Sequence, residues 1–136
     1  MNVEFIFSEF GLRTTANQPG GFTDEFRLDP TYSSVKQFFP DAKLTLYTDR
    51  PELATNYSDV GVKLVDIDNS PFTKSNHRWG WHCCDYYEAK GLLNSKADIA
   101  ISVDSDLMFV SDEVKTLLSI TDKFGLCVPT NERQMV

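Results

Sequence analysis

The chain has 136 residues, 41% hydrophobic and 24% charged, with a formal net charge of −7. A single domain is expected, large enough to bury roughly two-thirds of its unfolded surface. The acidic balance argues against nucleic acid and anionic membrane as partners, because both need a cationic footprint. No apolar run reaches the ~18 residues that a transmembrane helix requires.

Val3-Glu4-Phe5-Ile6-Phe7 reads as a buried first strand, and the residues before it lack the basic and apolar regions of a secretory signal. A long loop follows from Gly11 to about Phe26, centred on Asn17-Gln18-Pro19-Gly20-Gly21, of the kind that serves binding or stays disordered. Tyr32, Val35 and Phe39 recur at helical spacing and Pro40 ends that run. Ala42 to Tyr47 is a second strand, stopped by Thr48-Asp49-Arg50-Pro51, and Glu52 to Tyr57 a short helix. Val62 to Val65 is a third strand, Gly80 to Leu93 the main helix, and Ala97 to Val103 a fourth strand. The last of these is nearly all apolar towards its end, as a strand covered on both faces should be. Ser111-Asp112-Glu113 starts another helix, with Ser111 as N-cap and acids in the first turn, and Phe124 to Val128 reads as a fifth strand.

Cys83 and Cys84 are adjacent and Cys127 is distant, so neither a disulfide framework nor zinc-ligand spacing is present. The cysteines read as small buried hydrophobes in a reducing compartment, which makes a cytoplasmic location the expectation. His77, Arg78 and His82, around Trp79 and Trp81, read as packing and solvent contacts.

Strands alternating with helices imply right-handed βαβ units, a mainly parallel sheet and a three-layer α/β/α sandwich. Ligands of such sheets sit at the carboxyl ends of the strands. The polar residues just past the strands are therefore the candidates: Ser8 and Glu9, Asp49, Asp66 and Asp68, and Asp104 and Asp106.

Two Asp-x-Asp triplets occur, Asp66-Ile67-Asp68 and Asp104-Ser105-Asp106. With 13 Asp among 136 residues chance alone supplies about one, so context must decide. The first leads into Asn69-Ser70-Pro71 and reads as a solvated turn. The second is wedged between Ile99-Ala100-Ile101-Ser102-Val103 and Leu107-Met108-Phe109-Val110. Two carboxylates in such a place repel each other and lose hydration, and a cation bound by hard oxygen ligands offsets that cost. The other reading is a turn whose aspartates cap the chain locally.

An apolar strand running into Asp104-Ser105-Asp106 and then Leu107-Met108-Phe109-Val110 resembles the DxD segment of GT-A glycosyltransferases. The preceding helix, with Tyr86, Tyr87, Lys90, Leu92 and Leu93, and the second strand ending Tyr47-Thr48-Asp49, look like their counterparts in that family. The resemblance implies that Asp104 and Asp106 bind Mn²⁺ or Mg²⁺ bridging the phosphates of a nucleotide-diphosphate sugar, commonly UDP-linked. Asp106 would be the direct metal ligand, and Asp104 would contact ribose, metal or both. By the same resemblance Asp49 would recognise the base, Ser8 and Glu9 would lie near uracil or ribose, and Lys90 would reach a phosphate. Asp49 reads equally well as an N-cap, Ser8 and Glu9 as loop polarity, and Lys90 as a surface lysine.

Complete GT-A domains are longer, so the chain is expected to be the N-terminal donor-binding half, truncated at its C-terminus. Its acceptor is undefined, and an unfinished sheet would favour a homo-oligomer. Two other functions fit the same residues. One is a haloacid-dehalogenase-like phosphatase with Asp104 as nucleophile, although that motif usually follows the first strand. The other is a non-catalytic binding module.

Overall fold

The computed structural model describes residues 1–10, 28–66, 79–105 and 107–125, with the backbone alone over 79–82. Among the described residues four strands and three helices alternate: β1 Val3–Glu9, α1 Asp29–Phe38, β2 Lys43–Thr48, β3 Val60–Leu64, α2 Trp79–Asn94, β4 Ile99–Ser102 and α3 Val114–Phe124. All strand pairs are parallel, in the order β3-β2-β1-β4. The chain is thus an α/β protein with a Rossmann-like parallel sheet between two helical layers.

Register explains the two faces. Phe5 pairs with Leu44 and Ile101, and Phe7 with Leu46. These side chains point to one side of the pleat and pack with Val35 and Phe39 near α1 and with Leu118 of α3. Phe5, Phe7, Leu44 and Leu46 are fully buried, so removing this apolar surface from water is the main driving force for the fold. Phe109, beyond β4, closes the cluster edge-on to Phe5, with ring centroids 5.7 Å apart.

The opposite face is covered by α2 and is more polar. Phe10, Val65, Cys83, Cys84 and Tyr87 form its apolar part. Beside them Glu4 accepts hydrogen bonds from Thr45 Oγ1 at 2.6 Å and Ser95 Oγ at 2.5 Å, and its Oε1 lies 2.8 Å from Lys43 Nζ. Burial alone would raise the Glu4 pKa, but these three partners together hold it below the ordinary carboxylate value. Gly91 lets α2 lie close on this face: a Cβ there would stand 2.7 Å from Ile6 Cγ2.

Three expectations need correction. The short helix after β2 is a single 3-10 turn, Pro51–Ala54, too short to continue as α-helix. Ser111 does not cap α3: the segment 111–113 forms a tight turn, Glu113 is the N-cap, and no side-chain cap hydrogen bond is made. Phe124 does not open a fifth strand but ends α3, and Gly125 follows in the left-handed conformation (φ 81°), its N–H donating to Thr121 O at 2.7 Å. A glycine after a periodic apolar run is a helix stop, and that signal outweighs the apolar content of the segment. The rest of the expected strand and the loop of residues 11–26 lie outside the described residues.

Candidate functional site

The strand order reverses between β1 and β4: the chain moves from β1 to β2 and β3 on one side, then crosses by α2 to place β4 on the other. In open parallel sheets this switch point, at the carboxyl ends of the strands, is where ligands bind. Ser8 and Glu9 end β1 there, Asp49 follows β2, and Val103, Asp104 and Ser105 follow β4. Asp66 follows β3 by two residues and is exposed. Asp68, Asp106, His77 and Arg78 lie outside the described residues, as does the side chain of His82.

Each candidate meets different surroundings. Asp104 is exposed at the mouth of the fork, its C=O accepting from Leu107 N–H at 3.1 Å to close a turn. Ser105 is 2% exposed and inverted into the protein. Its Oγ donates to Glu9 Oε2 at 2.7 Å, and its C=O accepts from Thr31 Oγ1 at 2.6 Å. Glu9 is therefore buried and partnered inside the fold. Ser8 is buried too, donating its hydroxyl to Glu88 Oε1 at 2.5 Å. Asp49 is half-buried; the N-cap of the following turn is Arg50, without a side-chain cap bond. Lys90 is exposed, its ammonium 5.6 Å from the centroid of the Tyr87 ring.

Glu88 is the residue that sequence reading missed. It stands on the inner side of α2 and accepts from Ser8 of β1 and from Ser102 of β4, the latter also at 2.5 Å. One carboxyl thereby staples the two strands that border the switch point. Burial raises its pKa, the two serine hydroxyls oppose that, and the Asp104 and Asp85 carboxylates push it further up. The Asp49 carboxylate acts on the other side of α2, where burial first, then Cys84 and Asp49, push the Cys83 thiol up to about 12. Asp49, Asp85 and Asp104 are thus the carboxylates that act on these two groups of α2. Among the described residues, no three His, Cys, Asp or Glu side chains form a metal-holding group. Asp104 still offers hard oxygen, the donor type that Mg²⁺ and Mn²⁺ take.

No protein-family model matches the chain, and no curated protein does. Among the described residues no helix is long and apolar enough to cross a membrane.

Proposed function

We propose that this chain is the donor-binding domain of a metal-dependent glycosyltransferase of the GT-A class, taking a nucleotide-diphosphate sugar, UDP-linked by preference, from the cytoplasm. The single observation that carries the reading is the position of Asp104. It is an exposed carboxylate on an anchored turn at the switch point of a parallel sheet, where nucleotide ligands bind. A phosphatase of the haloacid-dehalogenase type would want this carboxylate after the first strand, whereas β1 ends in Ser8 and Glu9.

In this reading Asp104 and Asp106 hold Mn²⁺ or Mg²⁺ against the diphosphate. A bound Mn²⁺ or Mg²⁺ would supply Lewis-acid stabilisation of the departing nucleoside diphosphate. Asp49 lines the base and ribose side, while Ser8 and Glu9, both turned inward, form the floor rather than direct contacts. Lys90 offers positive charge on the α2 side. Arg50, next to Asp49, adds a second source of positive charge; among the described residues its buried Nε has no hydrogen-bond partner. A protein of net charge −7 needs such local cations to accept a diphosphate at all.

Calorimetric titration with UDP, with Mn²⁺ and then with EDTA, tests the proposal. Binding that requires Mn²⁺ is expected. No binding with Mn²⁺, or equal binding without it, would overturn it.

A further inference from the structure

β3 lies at one margin of the sheet, and among the described residues only β2 pairs with it. The two margins differ. β4, at the other, is buried or half-buried along its length, whereas Gly61 to Leu64 of β3 are all exposed. Leu64 is 68% exposed and Val62 37%. Open strand edges are ordinarily blunted by charge, proline or a bulge, because their N–H and C=O groups invite another strand. β3 keeps an unbroken register with β2, has no proline, and carries Lys63 as its one charge.

The hydrogen-bond phase of β3 fixes how a strand can add to it. Val65 N–H donates to Thr48 O at 2.8 Å, and Thr48 stands opposite Leu64 in register. Amides alternate in direction along a ladder, so those of Gly61, Lys63 and Val65 face β2 and those of Val62 and Leu64 face outward. The Val60 C=O faces outward too, while its N–H donates to Tyr57 O at 3.2 Å. Val60 and Val62 pair with Leu44 and Leu46, so with Leu64 they share the side of the sheet turned to α1. The outward amides and the apolar side chains therefore belong to the same residues.

We propose that β3 takes the β3 of a second copy of this chain, antiparallel across a two-fold axis at Val62, which joins the two sheets into one. The chain is its own complement there. With Val62 opposite its counterpart, each Val62 N–H meets the other's C=O. Each Leu64 N–H meets the opposing Val60 C=O, and no amide already in use is needed. Leu64 then covers Val60 of the second copy, and the two Val62 side chains cover each other. Lys63 stands opposite Gly61, whereas an axis one residue later would set two lysines face to face. Among the described residues a Cβ at Gly61 would come no closer than 3.5 Å, to Leu44 O, an ordinary contact. A strand glycine marks close approach of another backbone, and here it leaves room for the lysine stem. An unrelated strand could use the same backbone groups, but the apolar match and the Lys63–Gly61 pairing are properties of the chain with itself. A five-residue edge falls below the area of a standard interface, so association is weak, between about 1 μM and about 1 mM.

Sedimentation equilibrium of the whole chain tests this with wild type, Val62→Lys, Val62→Glu and an equimolar mixture of the two variants. Wild type should dimerise within that range. Each variant alone sets like charges across the axis and should stay monomeric, while the mixture sets opposite charges there and should dimerise again. Val62 sends no amide to β2, so both variants keep the ladder, which circular dichroism checks. Should they fail to fold, Leu64→Lys, at a more exposed position, should abolish dimerisation in their place. In wild type, amide exchange at Val62 and Leu64 should slow as concentration rises, while that of Lys63, bonded to β2, should not change. A wild-type monomer at ~1 mM, which includes an edge that serves a strand of another protein, would overturn the proposal. So would a dimer that each single variant retains, or a mixture that stays monomeric. The nucleotide reading is independent of all these outcomes.

Discussion

Gly91→Ala is a direct probe of how α2 is seated. The added methyl would lie 2.7 Å from Ile6 Cγ2, 3.0 Å from Tyr47 Cε2 and 3.3 Å from Ile6 Cδ1, where ordinary contact begins at 3.4 Å. The closest approach is short by about 0.7 Å, and the Ile6 methyl is branched next to the backbone of a central strand, so it cannot swing away. Helix propensity favours the alanine by about 1 kcal/mol, and overpacking a well-filled site costs about 1–3 kcal/mol. Packing wins, and a net loss of about 1 kcal/mol is expected, or ~3–4 °C in melting temperature for a chain of this size. Urea denaturation of the single variants and the pair measures it. In an Ile6→Ala background the clash with Cγ2 is gone, and the same Gly91→Ala change should then be neutral or stabilising. Stabilisation of about 1 kcal/mol by Gly91→Ala alone, the result for an exposed helix glycine, would refute the close seating of α2.

Two further outcomes follow from the groups that α2 presents. Cys83, fully buried with its thiol pushed up to about 12, should resist iodoacetamide in the native chain at about pH 8 and react on unfolding. Native labelling of Cys83, mapped by mass spectrometry, would contradict that environment. Glu88 has a folded pKa raised chiefly by burial, so its contribution to stability is complete below the ordinary Glu value and is lost as pH rises through the folded value. Glu88→Gln should therefore flatten this part of the pH dependence and gain on wild type as pH rises above the ordinary Glu value, read from urea midpoints. Parallel curves for the two proteins would show that Glu88 does not titrate in this window.

The strands were legible because each is a short run of apolar and β-branched residues bounded by turn residues, and alternation with helices gave the parallel topology. Boundaries moved where local chemistry decided them. Gly61 did not stop β3, because Leu44, Thr45 and Leu46 pair with residues 60–62, whereas Gly125 did stop α3. The candidate carboxylates at strand ends were legible too, since topology alone puts them on one edge. What lay beyond reading was which of them turn inward. Ser8, Glu9 and Asp104 look alike as polar residues after apolar strands, yet the first two are consumed by Glu88 and Ser105. Glu88, Ser102 and Thr31 carried no sequence signal, because their roles depend on the phase of α1 and α2 against the sheet. The nearest hint was a lone acid four residues after Cys84 on an otherwise apolar helix face.

The central claim is that Asp104 and Asp106 hold a cation against a nucleotide diphosphate, and melting curves of wild type and the double variant Asp104→Asn/Asp106→Asn, with and without Mn²⁺–UDP, test it most directly. The wild type should melt higher with Mn²⁺–UDP, and the variant should show no such shift because its site has lost both charged oxygens. Without ligand the variant should be as stable as wild type or more so, by on the order of 1 kcal/mol, since two like charges are removed. A variant that is destabilised without ligand by about 0.5–2 kcal/mol, as lost caps would make it, yet keeps the wild-type shift with Mn²⁺–UDP, would contradict the account.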